Sequence, residues 1–190
     1  NRVLKRIKEG QGKLDELDFW TEELIKNGRI IQSAREAFLQ AMNHFESPLG
    51  KFIFDYKQSL LTNERLREYN GREIQASVTL IGPHRDDFVL KMNGRNLARF
   101  GSRGEQRLAT LAFKLATLEY MALTLGQRPI LLLDDVFSEL DQNHREAVVE
   151  VVGRQQTIIS AVEFHNLPKD FLKNARILKV EDGKIKVIEK

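Results

Sequence analysis

The apolar positions of this chain fall into two helical stripes and a set of short runs, and each pattern predicts an element. From Trp20 onward, Leu24, Ile31, Ala34, Phe38, Ala41 and Phe45 recur at threes, fours and a seven, one stripe of an amphipathic helix. Gly28 weakens its middle and Ser47-Pro48 ends it, so residues 1 to about 47 read as helical with a break at Gly10 to Gly12. The second stripe is Leu108, Leu111, Leu115, Leu118, Ala122 and Leu125. Ser102 and Glu105 ahead of it have the spacing of a capping box, which starts this helix near Arg103. Short runs at Phe52 to Tyr56, Ser77 to Ile81, Val89 to Met92, Ile130 to Leu133 and Thr157 to Ser160 predict strands. Asn93-Gly94, between Val89 to Met92 and Arg95 to Arg99, and Asp182-Gly183, between Ile177 to Val180 and Lys184 to Ile188, predict β-hairpins.

The strand, helix, strand, helix, strand order from Val89 to Ser160 argues an α/β fold with a parallel sheet flanked by helices. A polar stretch with Glu64, Arg65, Arg67 and Glu68, ending near Asn70-Gly71, marks a candidate domain boundary. The informative segment is Pro129 to Asp141, PILLLDDVFSELD. Its apolar run reads as a strand buried on both faces, and Asp134 and Asp135 stand where that strand leaves the sheet. The carboxyl ends of parallel strands are where open α/β sheets bind ligands. One carboxylate there suits Mg²⁺, which wants oxygen ligands, and a second can orient or deprotonate water. The same pair also fits a core strand whose acidic end simply meets the next helix. Asp141 can cap that helix, to about Val152.

Two other segments carry polar chemistry. In GPHRDDF, Gly82 to Phe88, Pro83 forces Gly82 out of helical space, so a tight bend presents His84, Arg85, Asp86 and Asp87 together, as a functional or an ion-paired loop. The helix start at Ser102 to Glu105 directs free N–H groups and the positive end of the helix dipole outward. Gly104 lets that backbone approach a phosphate, although any helix start benefits from such a cap.

Composition narrows the classes. With 190 residues, 42% apolar and 30% charged, the chain has room for one good core or two small ones. A net charge of +3 permits nucleic acid as a partner without requiring it. The absence of cysteine excludes a disulfide framework and zinc-thiolate sites and fits a cytoplasmic protein. The uninterrupted apolar runs are short, so no membrane span is expected. His44, His84, His144 and His165 are scattered, and there is no nucleophile elbow. A Walker A loop is missing as well, since neither Gly10-Gln11-Gly12 nor Gly101 to Gly104 is followed by Lys and a hydroxyl. The chain is therefore not expected to cradle a triphosphate by itself. Beginning at Asn1 without a methionine, it reads as a piece of something longer.

SRGEQRLATLAFKLA from Ser102, followed by ILLLDDVFSELD from Ile130, resembles the signature helix, Walker B strand and D-loop of ABC-type ATPases of the SMC/Rad50/RecF group. GPHRDDF, Arg103 in place of glycine and Asp135 in place of glutamate make it similar to the RecF family of bacterial recombination mediators. The helix with Trp20, Gly28, Arg35 and Phe38 resembles that family's helical arm. The resemblance implies a helical arm at 1–72, part of an insertion lobe. It further implies the C-terminal half of an ABC-type ATPase head at 73–190, a parallel sheet flanked by helices plus β-hairpins. Asp134 would be the Mg²⁺-binding residue and Asp135 the group that polarises water. Ser102, Gly104 and Glu105 would contact the γ-phosphate of ATP held by the opposite subunit, and Ser138 and Asp141 would cross the dimer interface. Members of the family dimerise on ATP and bind duplex DNA near single-strand gaps. They work with RecR and RecO to help load RecA, in DNA repair, recombination and replication and in the SOS response. ATP hydrolysis would need the full-length dimer, with Walker A in an N-terminal half. The switch histidine of ABC transporters has no counterpart after Ser160, where Ala161 and Val162 follow.

Two rival readings are a structural SMC- or Rad50-type head tethering DNA through long coiled coils, and an inert interaction module. The short arm stripe speaks against the first and the aspartate pair against the second. Arg95, Arg99, Arg103 and Arg107 are candidates for DNA contact.

Overall fold

The first stripe does form one long helix, but a neighbouring face of it is turned inward. In the computed structural model, which describes residues 1–162, 167 and 169–188, the chain separates into two units. The first comprises Asn1–Phe45 with Phe52–Gly101, and the second Glu46–Lys51 with Ser102–Lys190.

Unit 1 holds α1 (Arg2–Lys8), α2 (Glu16–His44), β1 (Phe52–Lys57), α3 (Asn63–Ala76), a 3₁₀ turn at Pro83–Arg85, β2 (Asp87–Met92), β3 (Arg95–Asn96) and α4 (Leu97–Phe100). β1 runs antiparallel to β2, from Phe52↔Met92 to Lys57↔Asp87, and β2 turns back into β3. Asn93 (φ 51°) and Gly94 (φ 76°) both take positive φ, as a two-residue hairpin turn that matches strand twist requires. The free edge of β1 is closed by a side chain: Asn43 of α2 accepts from Phe54 N–H (2.7 Å) and donates to Phe54 O (3.0 Å).

The buried residues of α2 are Ile25, Gly28, Gln32, Leu39 and Met42, whereas Ile31, Ala34 and Ala41 of the expected stripe are exposed. The inward face is thus displaced by one residue. Two contacts explain it. Gly28 lies against Leu61, whose Cδ2 would be 2.5 Å from an added Cβ, and Pro83 is next nearest at 3.3 Å. Gln32 is buried because it donates to Ser59 O and Asp86 Oδ1, each at 2.9 Å. Gly28, which weakens the helix in isolation, is the point of closest packing.

Ser77 to Ile81 is not a strand. Ser77 ends α3 in the left-handed conformation (φ 56°), and the donors that a ladder would need are held by side chains. Leu80 N–H donates to the buried Glu73 carboxylate (2.7 Å), Thr79 N–H to Asn1 Oδ1 (3.0 Å) and Gly82 N–H to Ser59 Oγ (3.1 Å). Asn70-Gly71 lies inside α3, so a division after residue 72 would cut a continuous helix; the units instead separate near Phe45 and at Gly101.

Unit 2 holds α5 (Arg103–Leu125), β4 (Leu131–Asp134), a 3₁₀ turn at Val136–Glu139, α6 (Gln142–Val152), β5 (Thr157–Ser160), α7 (Lys169–Lys173), β6 (Ile177–Glu181) and β7 (Lys184–Ile188). β4 and β5 are parallel, from Leu131↔Thr157 to Asp134↔Ser160. The expected parallel sheet is therefore narrower among the described residues than the element order suggested. Val89 to Met92 belongs to an antiparallel sheet of unit 1 instead. β6 and β7 form the expected hairpin, turning at Asp182 (φ 50°) and Gly183 (φ 72°).

The core of unit 2 draws on Ala109, Leu111, Ala112, Leu115, Ala116 and Leu118 of α5, Leu133 of β4, Phe137, Leu140, and Val148, Val151 and Val152 of α6. α5 is long and apolar enough to cross a bilayer by length and composition, yet these six residues bury one face of it in protein, as in a core helix. Its last turn departs from the expected stripe, with Leu125 exposed. β4 is covered on one face: Leu133 is buried, but Leu132 is 69% and Ile158 59% exposed. The reading of a strand buried on both sides is corrected accordingly, because no described element lies over the Leu132 side.

Candidate nucleotide site

β4 delivers Asp134 and Asp135 to an exposed corner of unit 2. Side chains alternate along a strand, so Asp134 shares the open face with Leu132, and its register partner Ser160 shares it with Ile158. The Ser160 hydroxyl donates to Asp134 Oδ1. Asp135 N–H donates to Ser160 O (3.1 Å) and to Ser160 Oγ (3.2 Å). Asp135 then adopts φ 46°, ψ 28°, a left-handed conformation that Asp tolerates better than most residues, and swings the chain out of the strand into Val136–Glu139.

That turn is secured from three directions. Ser138 Oγ donates to Asp135 O (2.8 Å), Phe137 is buried, and Arg145 Nε of α6 donates to Phe137 O (3.0 Å). Asp141 caps α6 by accepting from His144 N–H (3.0 Å) and pairs with His144 Nδ1 (2.7 Å). The His144 backbone N–H, and then its ring, hold the Asp141 carboxyl below the usual carboxylate range. Behind the strands, Arg128 makes two 2.8 Å bonds to the Glu119 carboxylate and a 3.0 Å bond to Gln155, tying the approaches of β4 and β5 to α5.

The second expected feature is the tip of α5. The capping box forms in full: Ser102 Oγ accepts from Glu105 N–H (3.2 Å), and Glu105 accepts from Ser102 N–H (2.7 Å). Gln106 N–H donates to Ser102 O (3.0 Å). Among the described residues, the N–H groups of Arg103 and Gly104 are left without a partner, as the geometry of a helix start dictates. No atom lies within 4 Å of a Cβ built on Gly104, so the backbone there is open to approach. Ser102, Gly104, Asp134, Asp135, Ser138 and Asp141 are all exposed, and Glu105 is half-buried.

Among the described residues no group of three or more His, Cys, Asp or Glu side chains could enclose a metal ion. The pair Asp134 and Asp135 therefore does not form an all-protein cage. It fits Mg²⁺, which is held by one or two carboxylates and completes its shell with water and phosphate oxygens.

In GPHRDDF the structure singles out one residue. Asp86, whose side chain is 2% exposed, accepts from Tyr56 Oη (2.5 Å), Ser59 N–H (2.9 Å), Gln32 Nε2 (2.9 Å) and Arg35 Nη1 (3.0 Å). Arg35 also donates to Pro83 O (2.5 Å). Burial alone pushes the Asp86 carboxyl up, but the bonds from Tyr56, Ser59, Gln32 and Arg35 bring it below its ordinary value. Burial, then Asp86, raises Tyr56 to about 12. His84 donates to Thr79 O (2.8 Å), and Arg85 and Asp87 are exposed. Of the DNA-contact candidates, Arg95 and Arg99 lie exposed in unit 1, and Arg103 and Arg107 in unit 2.

Sequence reasoning missed Ser160 and Arg145. The usable signal for Ser160 was that it ends its apolar run just as Asp134 ends its own, so that a parallel pairing brings the two together.

No family model matches the chain. The DNA replication and repair protein RecF of Lachnoclostridium phytofermentans is 34% identical over 196 residues, covering 97% of this chain and 54% of that protein. The same-named protein of Moorella thermoacetica is 35% identical over 196 residues, covering 97% and 53%. Solved structures of the recombination mediator protein RecF in the RecFOR pathway, with ATPrS and with ATP, match with TM-scores of 0.79 and 0.78. Each is 27% identical and covers 99% of this chain and 54% of that one. The fold is that of one half of an ABC-type ATPase head. The chain spans about half the length of the curated relatives it matches. It belongs to the RecF family and corresponds to the C-terminal portion of those proteins.

Proposed function

We propose that this chain supplies the signature helix, Walker B strand and D-loop of a RecF-type ATPase head that binds duplex DNA near single-strand gaps. With RecR and RecO as partners, such a head assists RecA loading in DNA repair in the cytoplasm. The observation that carries the reading is the exposed Asp134 and Asp135 corner, in the same chain as an exposed helix tip with two N–H groups that have no partner among the described residues. Asp134 would hold Mg²⁺ and Asp135 would orient the attacking water. Bound Mg²⁺ would neutralise charge on the phosphate oxygens.

The tip serves a second nucleotide. The N–H groups of Arg103 and Gly104, with the Ser102 hydroxyl, meet the γ-phosphate of ATP held by another subunit, where the helix dipole favours the anion. Ser138 and Asp141, on the turn leading into α6, lie at the dimer interface. ATP thus joins two heads, and its hydrolysis removes the shared ligand and releases them. The name of the relatives, the ATP-bound RecF structures and the aspartate pair support this reading over an inert module. Against a long tether, α2 is a single 29-residue helix whose buried positions belong to unit 1.

The test uses a full-length RecF-type protein in which this chain supplies the C-terminal portion. Asp134→Ala is expected to abolish ATP turnover while the protein still folds; unchanged turnover overturns the assignment. For DNA, Arg103→Ala is expected to lower the slope of log affinity against log salt by roughly 0.9, one phosphate contact, and an unaltered slope removes Arg103 from the interface.

A further inference from the structure

We propose that Ser160 is a positioning residue for the Asp134 carboxylate, setting which of its oxygens faces the cation; this rests on the reading of Asp134 as the Mg²⁺ residue. A serine hydroxyl has one proton to give and two lone pairs to accept with. At Ser160 the Asp135 N–H occupies a lone pair (3.2 Å), which leaves the proton directed at Asp134 Oδ1. The hydroxyl is therefore locked from two sides by consecutive residues of the same strand end. Its own backbone is fixed by the parallel register and by the bond from Asp135 N–H to Ser160 O (3.1 Å).

The consequence falls on Asp134. Its Oδ1 is engaged, and among the described residues Oδ2 has no partner and belongs to an exposed side chain. A lone carboxylate at a strand end samples several rotamers; one tethered through Oδ1 presents Oδ2 in a constant direction. Hydrogen-bonding groups behind a metal ligand change metal affinity by about 10–100-fold when removed. Ser160 stands in that relation to Asp134, in the position from which the chain leaves β5.

The test is a Mn²⁺ titration, with a non-hydrolysable ATP analogue present, of a full-length RecF-type protein in which this chain supplies a ¹⁵N-labelled C-terminal portion, read by paramagnetic broadening of amide signals, with Mn²⁺ reporting for Mg²⁺. In the unmutated chain, broadening is expected to centre on Asp134, Asp135 and Ser160. Ser160→Ala is expected to weaken the apparent Mn²⁺ affinity at that corner about tenfold with amide dispersion preserved, because Asp135 N–H keeps its bond to the residue 160 carbonyl. Ser160→Thr retains a hydroxyl and is expected to stay within about twofold of the unmutated chain. Unchanged affinity in Ser160→Ala overturns the inference and leaves the Asp134 assignment standing. Equal loss in Ser160→Thr also overturns it, since the hydroxyl is still there. If the unmutated chain shows no broadening at this corner, the metal assignment of Asp134 fails and the role of Ser160 fails with it.

Discussion

Replacing Asp86 by alanine is expected to destabilise unit 1 more than any single change at the nucleotide corner. The carboxylate satisfies four donors at 2.5 to 3.0 Å from four separate residues. Arg35 is about half exposed and can turn to water at little cost, but Ser59 N–H, Gln32 and the Tyr56 hydroxyl sit in partly buried contacts. Leaving a partly buried donor unsatisfied costs about 1–3 kcal/mol, and three such donors would remain. We therefore expect a loss of about 3–5 kcal/mol for Asp86→Ala. Asp86→Asn, which keeps one acceptor oxygen but turns an amide N–H₂ toward donors, is expected to lose about 2 kcal/mol.

Urea unfolding, followed by the fluorescence of Trp20, the one tryptophan and a residue of unit 1, measures this. With a slope of about 2 kcal/mol per molar, the midpoint should fall by about 2 M. A loss below about 1 kcal/mol at constant slope would refute the account of Asp86 as the hub of this unit. The pH dependence has a definite sign. Asp86 has a lowered carboxyl in the fold, so its contribution is present above the unfolded value, about 3.9, and disappears as pH falls through the lower folded one. The difference between Asp86→Ala and the unmutated chain should accordingly shrink in acid. Tyr56, raised to about 12, contributes below its unfolded value of about 10 and loses that contribution as pH climbs from there toward 12.

Gly28→Ala would place a Cβ 2.5 Å from Leu61 Cδ2, and because Leu61 is buried the strain should outweigh the gain in helix propensity, with a net loss of about 1–2 kcal/mol by urea unfolding. A stabilised Gly28→Ala would show that Leu61 can repack. Ser102→Ala removes the acceptor for Glu105 N–H and is expected to cost about 1 kcal/mol of stability in unit 2, seen as a lower thermal midpoint; no shift would mean that water replaces the cap.

Local chemistry was legible where it is local in cause. The capping box at Ser102 and Glu105, the turns at Asn93-Gly94 and Asp182-Gly183, and the Asp141 cap need only residues within four of each other, and all form. The acidic end of the Leu131–Leu133 run was equally visible, because a strand followed by paired carboxylates is written in consecutive residues.

Partners distant in sequence override the local pattern elsewhere. The apolar residues of α2 predict one inward face, yet the side that packs carries Gly28 and Gln32, because Leu61 needs room and Asp86 needs donors. Ser77 to Ile81 has the composition of a strand, but Glu73 and Asn1 hold its N–H groups before any ladder can. Amino-acid order alone thus determined the starts of α5 and α6, the tight turns and the presence of two aspartates at a strand end, since short-range hydrogen bonds and backbone sterics decide those. Tertiary structure decided which face of a helix is inside and which hydroxyl stands behind Asp134. A polar group takes its place from the partner that satisfies it, and Asp86 lies 27 to 54 residues from the groups it holds and Ser160 26 from Asp134.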